Sequence, residues 1–325
     1  MLDEKILSVL RNNTESYVSG EDLSKTAGVS RTAVWKHIEK LRRDGYEIEA
    51  SPHVGYRLIS IPDLLIADEI RWNLKTKILG RSVISYKKVD STNTVAYQLA
   101  EKGVKEGTVI IAEEQAKGKG RQGRVWVSPS KGGVYMSCIL KPAIAPNEIS
   151  KITLLAAVAV TKSIRSVTGL GAMIKWPNDI LVNHKKVCGI LTEMKAEQDR
   201  VDFIVIGIGI NVNTPRRYIP KGASSLKEEM RALRKSEDVP RVELVRSVLE
   251  TLESEYTMLN KNGFNDIIEE WKRYSAMLGA RVKVVLPGRA FEGQVHNIDD
   301  RGELVIRTES GILERISSGD ILMVR

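Results

Sequence analysis

The chain has 325 residues, 42% of them hydrophobic, and a formal net charge of +9. That length builds two or three domains around a substantial core, and that composition excludes a disordered chain. The start, Met1-Leu2-Asp3-Glu4-Lys5, lacks a long apolar run and no stretch of about 18 apolar residues occurs, so neither a signal peptide nor a membrane partner is expected.

The positive excess is local. Residues 1–60 hold nine basic and nine acidic side chains and residues 276–325 hold seven of each, whereas residues 61–275 hold 34 basic and 25 acidic. The middle segment therefore suits an anionic small ligand such as ATP, and nucleic acid stays open as a second partner. Cys138 and Cys188 form no metal-ligand spacing. They read as small buried residues of a cytoplasmic protein with reduced thiols.

In chain order, residues 1–61 read as a winged helix-turn-helix. Glu4–Arg11 has helical apolar spacing at Ile6, Leu7 and Leu10. Ser19 is placed to cap a helix over 20–26, and Ala27-Gly28-Val29 makes the short turn. Ser30 caps a second helix from Arg31 to Asp44, which Gly45 stops. Two alternating segments, 46–50 and 55–59, form a hairpin wing. Ser30, Arg31, Thr32, Trp35 and Lys36 lie at the start of the second helix, where a recognition helix meets base edges. Lys25 to Arg43 contains six Lys or Arg and one acid, Glu39, a pattern suited to phosphate contacts. Protein packing or a solvated basic helix would use the same pattern.

Residues 61–68, with Pro62, read as the linker into a second domain, 62–275. There, strand and helix patterns alternate as in a mixed α/β domain. Strands are predicted at 83–89, 108–113, 125–128, 133–140, 173–176, 179–182, 185–195 and 202–211. Helices are predicted at 93–102, 152–169, 241–260 and 263–275. Residues 276–325 switch to short strands (282–285, 290–297, 303–308, 312–316) punctuated by Pro-Gly, Asp-Asp-Arg-Gly and Ser-Gly turns. This reads as a small β-barrel with a lid, support or interaction role.

The most informative stretch is Gly118-Lys119-Gly120-Arg121-Gln122-Gly123-Arg124-Val125-Trp126. From Lys117 to Lys131 there are five basic residues and no acidic one. Glycines let a backbone approach a ligand and present N–H groups, and the cations suit carboxylate or phosphate. The spacing also matches the dinucleotide fingerprint and the kinase glycine loop. The strand-like 124–127 segment argues against the first, because that fingerprint must open a helix. The absence of V-A-I-K, H-R-D and D-F-G removes the second. A basic surface hairpin remains the plainer alternative.

Companion groups sit at the edges of apolar strands. These are Ser91-Thr92-Asn93, Gln115, Lys175-Trp176-Pro177-Asn178-Asp179, Lys186-(x2)-Gly189-Ile190-Leu191 and Gly207-x-Gly209-x-Asn211-x-Asn213. Singly, each reads equally as a helix cap, a hairpin tip or tight packing. Together, and in this order, they resemble the biotin protein ligases. The N-terminal helix-turn-helix and C-terminal barrel resemble the bifunctional form that also represses biotin genes, and the resemblance spans essentially the whole chain.

The resemblance implies an α+β multidomain protein: a winged helix-turn-helix (1–61), a class II synthetase-like mixed-sheet ligase domain (62–275) and an SH3-like β-barrel (276–325). It implies that Ser91, Thr92, Asn93 and Gln115 bind the polar head of biotin, and that Gly118, Lys119, Gly120 and Arg121 close over biotin and its adenylate. Lys186 would meet the biotin carboxylate and α-phosphate, and Gly189, Gly207 and Gly209 would line the pocket. Arg124, Trp126 and Asn211 would face the nucleotide. Position 119 departs from the family, which usually has arginine there; lysine keeps the charge and loses the bidentate fork.

The implied reaction joins biotin to ATP as biotinyl-5'-AMP, with Mg²⁺ on the polyphosphate, and transfers biotin to a lysine of the biotin carboxyl carrier protein. It needs no enzyme nucleophile. It needs two anions held in line, which Arg121 and Lys186 would serve, and an uncharged amine, which Asp179 would orient or deprotonate. No protein metal site is expected. The further partners implied are operator DNA and a second copy of the chain. Alternatives are a ligase without repressor activity, a ligand sensor without turnover, and a lipoate ligase.

Overall fold

The computed structural model describes residues 2–235 and 237–324, and the chain divides after Leu64 into two compact units.

The first unit packs three helices against a hairpin. α1 (Leu2–Arg11), α2 (Gly20–Ala27) and α3 (Arg31–Arg43) bury Ile6, Leu10, Leu23, Val34, Ile38 and Leu41. Ser19 Oγ accepts from Asp22 N at 3.0 Å and Ser30 Oγ accepts from Ala33 N at 3.2 Å, so both expected caps form. Gly28 turns the chain between α2 and α3 with φ 73°, a conformation that favours glycine. β1 (Glu47–Ser51) and β2 (Gly55–Ser60) pair antiparallel as the wing. The Arg42 guanidinium donates to Ile48 O and ties α3 to β1.

The second unit opens with α4 (Ala67–Arg71), a short helix that was not predicted and begins at the end of the 61–68 linker segment. A seven-stranded sheet follows, built from β3 (Val83–Tyr86), β4 (Val109–Ala112), β5 (Gly133–Leu140), β6 (Met173–Lys175), β7 (Asp179–Val182), β8 (Lys185–Glu197) and β9 (Arg200–Asn211). Its order is β3-β4-β5-β9-β8-β7-β6; β3 and β4 run parallel and every other pair is antiparallel. α5 (Thr92–Glu101) covers one face through Ala96, Ala100, Ile110, Ile139, Phe203 and Val205. α6 (Ile149–Thr168), α8 (Arg241–Asn262) and α9 (Asn265–Tyr274) belong to the main core with the other face. β5 is buried at every residue, which is why it reads as a continuous apolar run.

The predicted strand 125–128 does not form. Val125 is 75% exposed, and the segment makes only isolated bridges, Lys119 to Val125 and Gln115 to Ser128. A single 3₁₀ turn at Arg121–Gly123 precedes it. The strand-like segment fails to extend because the loop folds back on itself, through the Lys119–Val125 bridge, and joins no strand of the sheet. The dinucleotide reading still fails, since no helix opens there. α7 (Leu226–Ala232) was not predicted; its apolar residues are too few to show a period.

The last segment is one five-stranded antiparallel sheet, ordered β13-β12-β11-β10-β14. Its strands are β10 (Arg281–Leu286), β11 (Arg289–Ile298), β12 (Leu304–Thr308), β13 (Leu313–Ile316) and β14 (Asp320–Met323). β14 was not anticipated. Trp176 Nε1 donates to Gly302 O at 3.1 Å, joining this sheet to the β6–β7 connection.

Candidate functional site

A cavity of about 420 Å³ gathers nearly every residue singled out in the sequence. Ser91, Thr92, Asn93, Gln115, Lys119, Gly120, Arg121, Arg124, Trp126, Asp179, Lys186, Gly189, Gly207, Gly209 and Asn211 all line it. Gly118 does not. A Cβ there would lie 2.3 Å from Trp126 O, so its role is to let the loop close on itself.

Glycines make the cavity. Along β9, Gly207, Gly209 and Asn211 share a face, and Gly189 on β8 is the cross-strand partner of Gly209. A Cβ on Gly207 would sit 2.0 Å from Asn93 Oδ1, and one on Gly209 would sit 2.6 Å from Trp126 Nε1. Three missing side chains thus clear a trough along β9, with Asn93 over one end and Trp126 over the middle. Both glycine positions mark close approach, as the sequence allowed.

The end near Asn93 is a fixed polar network. Thr92 N and Thr92 Oγ1 both donate to Gln115 Oε1, at 2.8 and 3.1 Å. Gln115 Nε2 donates to Ser128 Oγ at 2.9 Å, and Ser128 Oγ donates to Trp126 O at 3.0 Å. Ser137, which sequence reasoning missed, donates to Asn93 Oδ1 at 2.6 Å. Its neighbours on β5 gave no polar signal that would have found it. Ser91 caps α5 by backbone only.

The other end is cationic. Lys186 Nζ lies 2.6 Å from Asp179 Oδ1 as an ion pair, and 5.4 Å from the centre of the Trp126 ring. A β-bulge makes this possible. β7 and β8 pair Asp179 with Gly189 and Ile180 with Cys188, then Leu181 with Lys186. Val187 is the extra residue, and skipping it turns Lys186 onto the face shared by Asp179 and Gly189. Arg121 Nη1 donates to Asn178 Oδ1 at 3.3 Å, and Asn178 is held by Ile190 O at 2.7 Å. Burial lowers the Arg121 pKa, Asp179 and Asp320 raise it in part, and the side chain stays a cation.

Arg124 pairs with Asp320 on β14. Gly319, Asp320, Ile321 and Leu322 line the same cavity, so the terminal sheet contributes a wall to it. The loop 218–223 supplies a further wall, closed down by Ser224 N donating to Lys186 O and Asn211 Nδ2 donating to Ser224 O. The indole N–H of Trp126 is buried with no acceptor among the described residues. Cys138 and Cys188 are fully buried, and burial pushes the Cys138 thiol up to about 12 and raises that of Cys188, so neither is a nucleophile.

A second candidate surface lies in the first unit. Arg31, Thr32, Trp35 and Lys36 are exposed on one side of α3, Trp35 at 53%. Arg31 pairs with Glu21, which leaves Lys36 the freer cation.

Comparison with known proteins agrees with this layout. A family model for an HTH domain matches residues 3–57, the biotin/lipoate A/B protein ligase family matches 85–211, and the biotin protein ligase C-terminal domain matches 277–324. The bifunctional ligase/repressor BirA of Bacillus subtilis is 41% identical over 322 residues, covering 98% of each chain.

The chain belongs to the biotin protein ligase family, in its bifunctional ligase/repressor form.

The BirA of Escherichia coli is 29% identical over 98% of this chain and 95% of its own. Among solved structures, the biotin protein ligase of Aquifex aeolicus in complex with biotin and ATP superposes with a TM-score of 0.63 at 30% identity, covering 75% of this chain and 99% of that one. The match to the biotin-specific C-terminal domain and to these ligases decides against the lipoate alternative.

Proposed function

We propose that this biotin protein ligase forms biotinyl-5'-AMP from biotin and ATP, transfers biotin to a lysine of the biotin carboxyl carrier protein, and represses biotin genes with the adenylate as corepressor. The observation that supports the ligase reading most is the single trough with a hydrogen-bonded polar end at Thr92, Asn93 and Gln115 and a cationic end at Arg121, Arg124 and Lys186. Biotin has that shape of demand: an uncharged polar head and a distant carboxylate.

In the first step a biotin carboxylate oxygen attacks the α-phosphorus and pyrophosphate leaves. Two anions must approach, and Lys186 and Arg121 lower their repulsion in a site partly shielded from water. Trp126 and Asn211 line the nucleotide side, with the free indole N–H as a donor to it. Mg²⁺ bound together with ATP would supply charge neutralisation to the polyphosphate. Among the described residues no group of three or more His, Cys, Asp or Glu converges.

In the second step the carrier lysine nitrogen attacks the biotinyl carbonyl carbon and AMP leaves. Asp179 takes the amine's proton or orients it; its other duty is to hold Lys186. Glycines 118 and 120, with Lys119 and Arg121, form the flap that keeps the adenylate in.

The catalytic part, 62–275, is read as class II synthetase-like and 276–325 as an SH3-like barrel, with 1–61 as the DNA-binding domain. A two-fold homodimer in the cytoplasm would present two α3 helices, through Ser30, Arg31, Thr32, Trp35 and Lys36, to a pseudo-palindromic operator. Ligand and DNA would then favour each other through dimerisation. No helix among the described residues is long and apolar enough to cross a membrane. Pyrophosphate release on mixing the protein with biotin and ATP tests the ligase half. Gel-shift of operator DNA with and without biotin plus ATP tests the repressor half; equal binding in both would remove the corepressor role.

A further inference from the structure

We infer that Glu193 is a positioning residue for substrate recognition: it fixes the side-chain amide of Asn93 so that the oxygen, an acceptor, serves the head-group end of the trough. This rests on the ligase reading above.

Glu193 lies on β8 on the same face as Gly189 and Leu191, just beyond the residues that line the cavity. Asn93 Nδ2 donates to Glu193 Oε2 at 2.7 Å and to Leu191 O at 3.2 Å. A carboxylate and a carbonyl can only accept, so both protons of the amide nitrogen are committed. The oxygen is thereby turned to Gly207, where a Cβ would meet it first, at 2.0 Å, and it accepts from the Ser137 hydroxyl at 2.6 Å. One lone pair of Asn93 Oδ1 remains. A flipped amide would put N–H groups there and would also place its oxygen against the Glu193 carboxylate.

The ligand chemistry selected is an N–H donor, such as one ureido nitrogen of biotin. An acceptor-only head group would set its oxygen against that of Asn93. The other Glu193 oxygen, Oε1, lies 3.6 Å from Lys119 Nζ on the flap, and Glu193 is partly buried. A carboxylate at this position therefore faces both the Asn93 amide and the Lys119 cation.

The test uses the full chain in biotin-dependent ATP–pyrophosphate exchange at saturating ATP, with Glu193→Gln, Glu193→Met and Glu193→Ala. Glutamine keeps an acceptor for Asn93; methionine keeps the length and removes it; alanine removes both. The expected order is a biotin KM within about threefold of wild type for Glu193→Gln, and raised about tenfold or more for the other two, with kcat changed far less. A wild-type KM in Glu193→Met or Glu193→Ala overturns the inference. So does a fall in kcat that matches the KM rise equally in all three variants, which marks a merely structural role. If the wild-type protein itself shows no biotin-dependent exchange, the ligase reading fails instead.

Discussion

Lys186 and Asp179 face each other at 2.6 Å because one extra residue, Val187, interrupts the pairing of β7 and β8. A regular strand would point Lys186 away from Gly189 and out of the trough. The bulge brings to the same face the cation proposed to meet the two anions and the carboxylate proposed to meet the incoming amine.

Separate variants should therefore fail at separate steps. Lys186→Met should slow adenylate formation by about 10²–10³-fold, the usual cost of one preorganised charge donor. Asp179→Asn should slow transfer from preformed adenylate by about tenfold or more. Rapid-quench measurement of each half-reaction reads both, and transfer at full rate in Asp179→Asn would remove its assigned role.

Arg121→Gly should loosen the flap, since Arg121 reaches Asn178 across the cavity. The adenylate should then escape and label lysines of unrelated proteins. A blot of an unrelated protein incubated with the variant, biotin and ATP should show increased labelling; none would count against the flap.

Two glycine substitutions should divide the trough. Gly207→Ala places a methyl against Asn93 and should raise the biotin KM by about tenfold or more; Gly209→Ala places one against Trp126 and should act chiefly on ATP. Gly171→Ala is the control, because nothing lies within 4 Å of its Cβ. Equal effects on both substrates from Gly207→Ala and Gly209→Ala would mean the cavity is not ordered along β9.

Much of this site was legible beforehand. The glycine–cation loop, the Lys-Trp-Pro-Asn-Asp block and the alternating glycines each announced close approach or charge, and the caps at Ser19 and Ser30 fixed helix starts within a residue. What the sequence hid has physical causes. The bulge at Val187 changes the parity of a strand without changing its composition. Ser137 is one hydroxyl inside an apolar strand. Glu193 and Asp320 are ordinary surface-type acids until the fold brings them to Asn93 and Arg124, about 100 and 196 positions away in the chain.

The loop beside Lys186 should respond to acid. Burial by itself raises the Glu229 pKa, but bonds from Ser224 and Asn183 and the Lys185 ammonium bring it net below the ordinary 4.5. A carboxyl depressed in the folded state stabilises it above the unfolded value, and that contribution is lost as pH falls through the lower folded value. Stability should therefore drop below about pH 4.5, and Glu229→Gln should flatten that part of the profile. An unchanged profile in the variant, followed by thermal unfolding, would assign the acid sensitivity elsewhere.

The most direct measurement of the central claim is transfer of labelled biotin to a biotin carboxyl carrier domain. The protein, ATP, Mg²⁺ and biotin should label that domain on one lysine, omission of ATP should abolish the label, and Lys186→Met should cut its initial rate by about 10²–10³-fold. A properly folded wild-type protein that binds biotin yet leaves the carrier unlabelled would contradict the account.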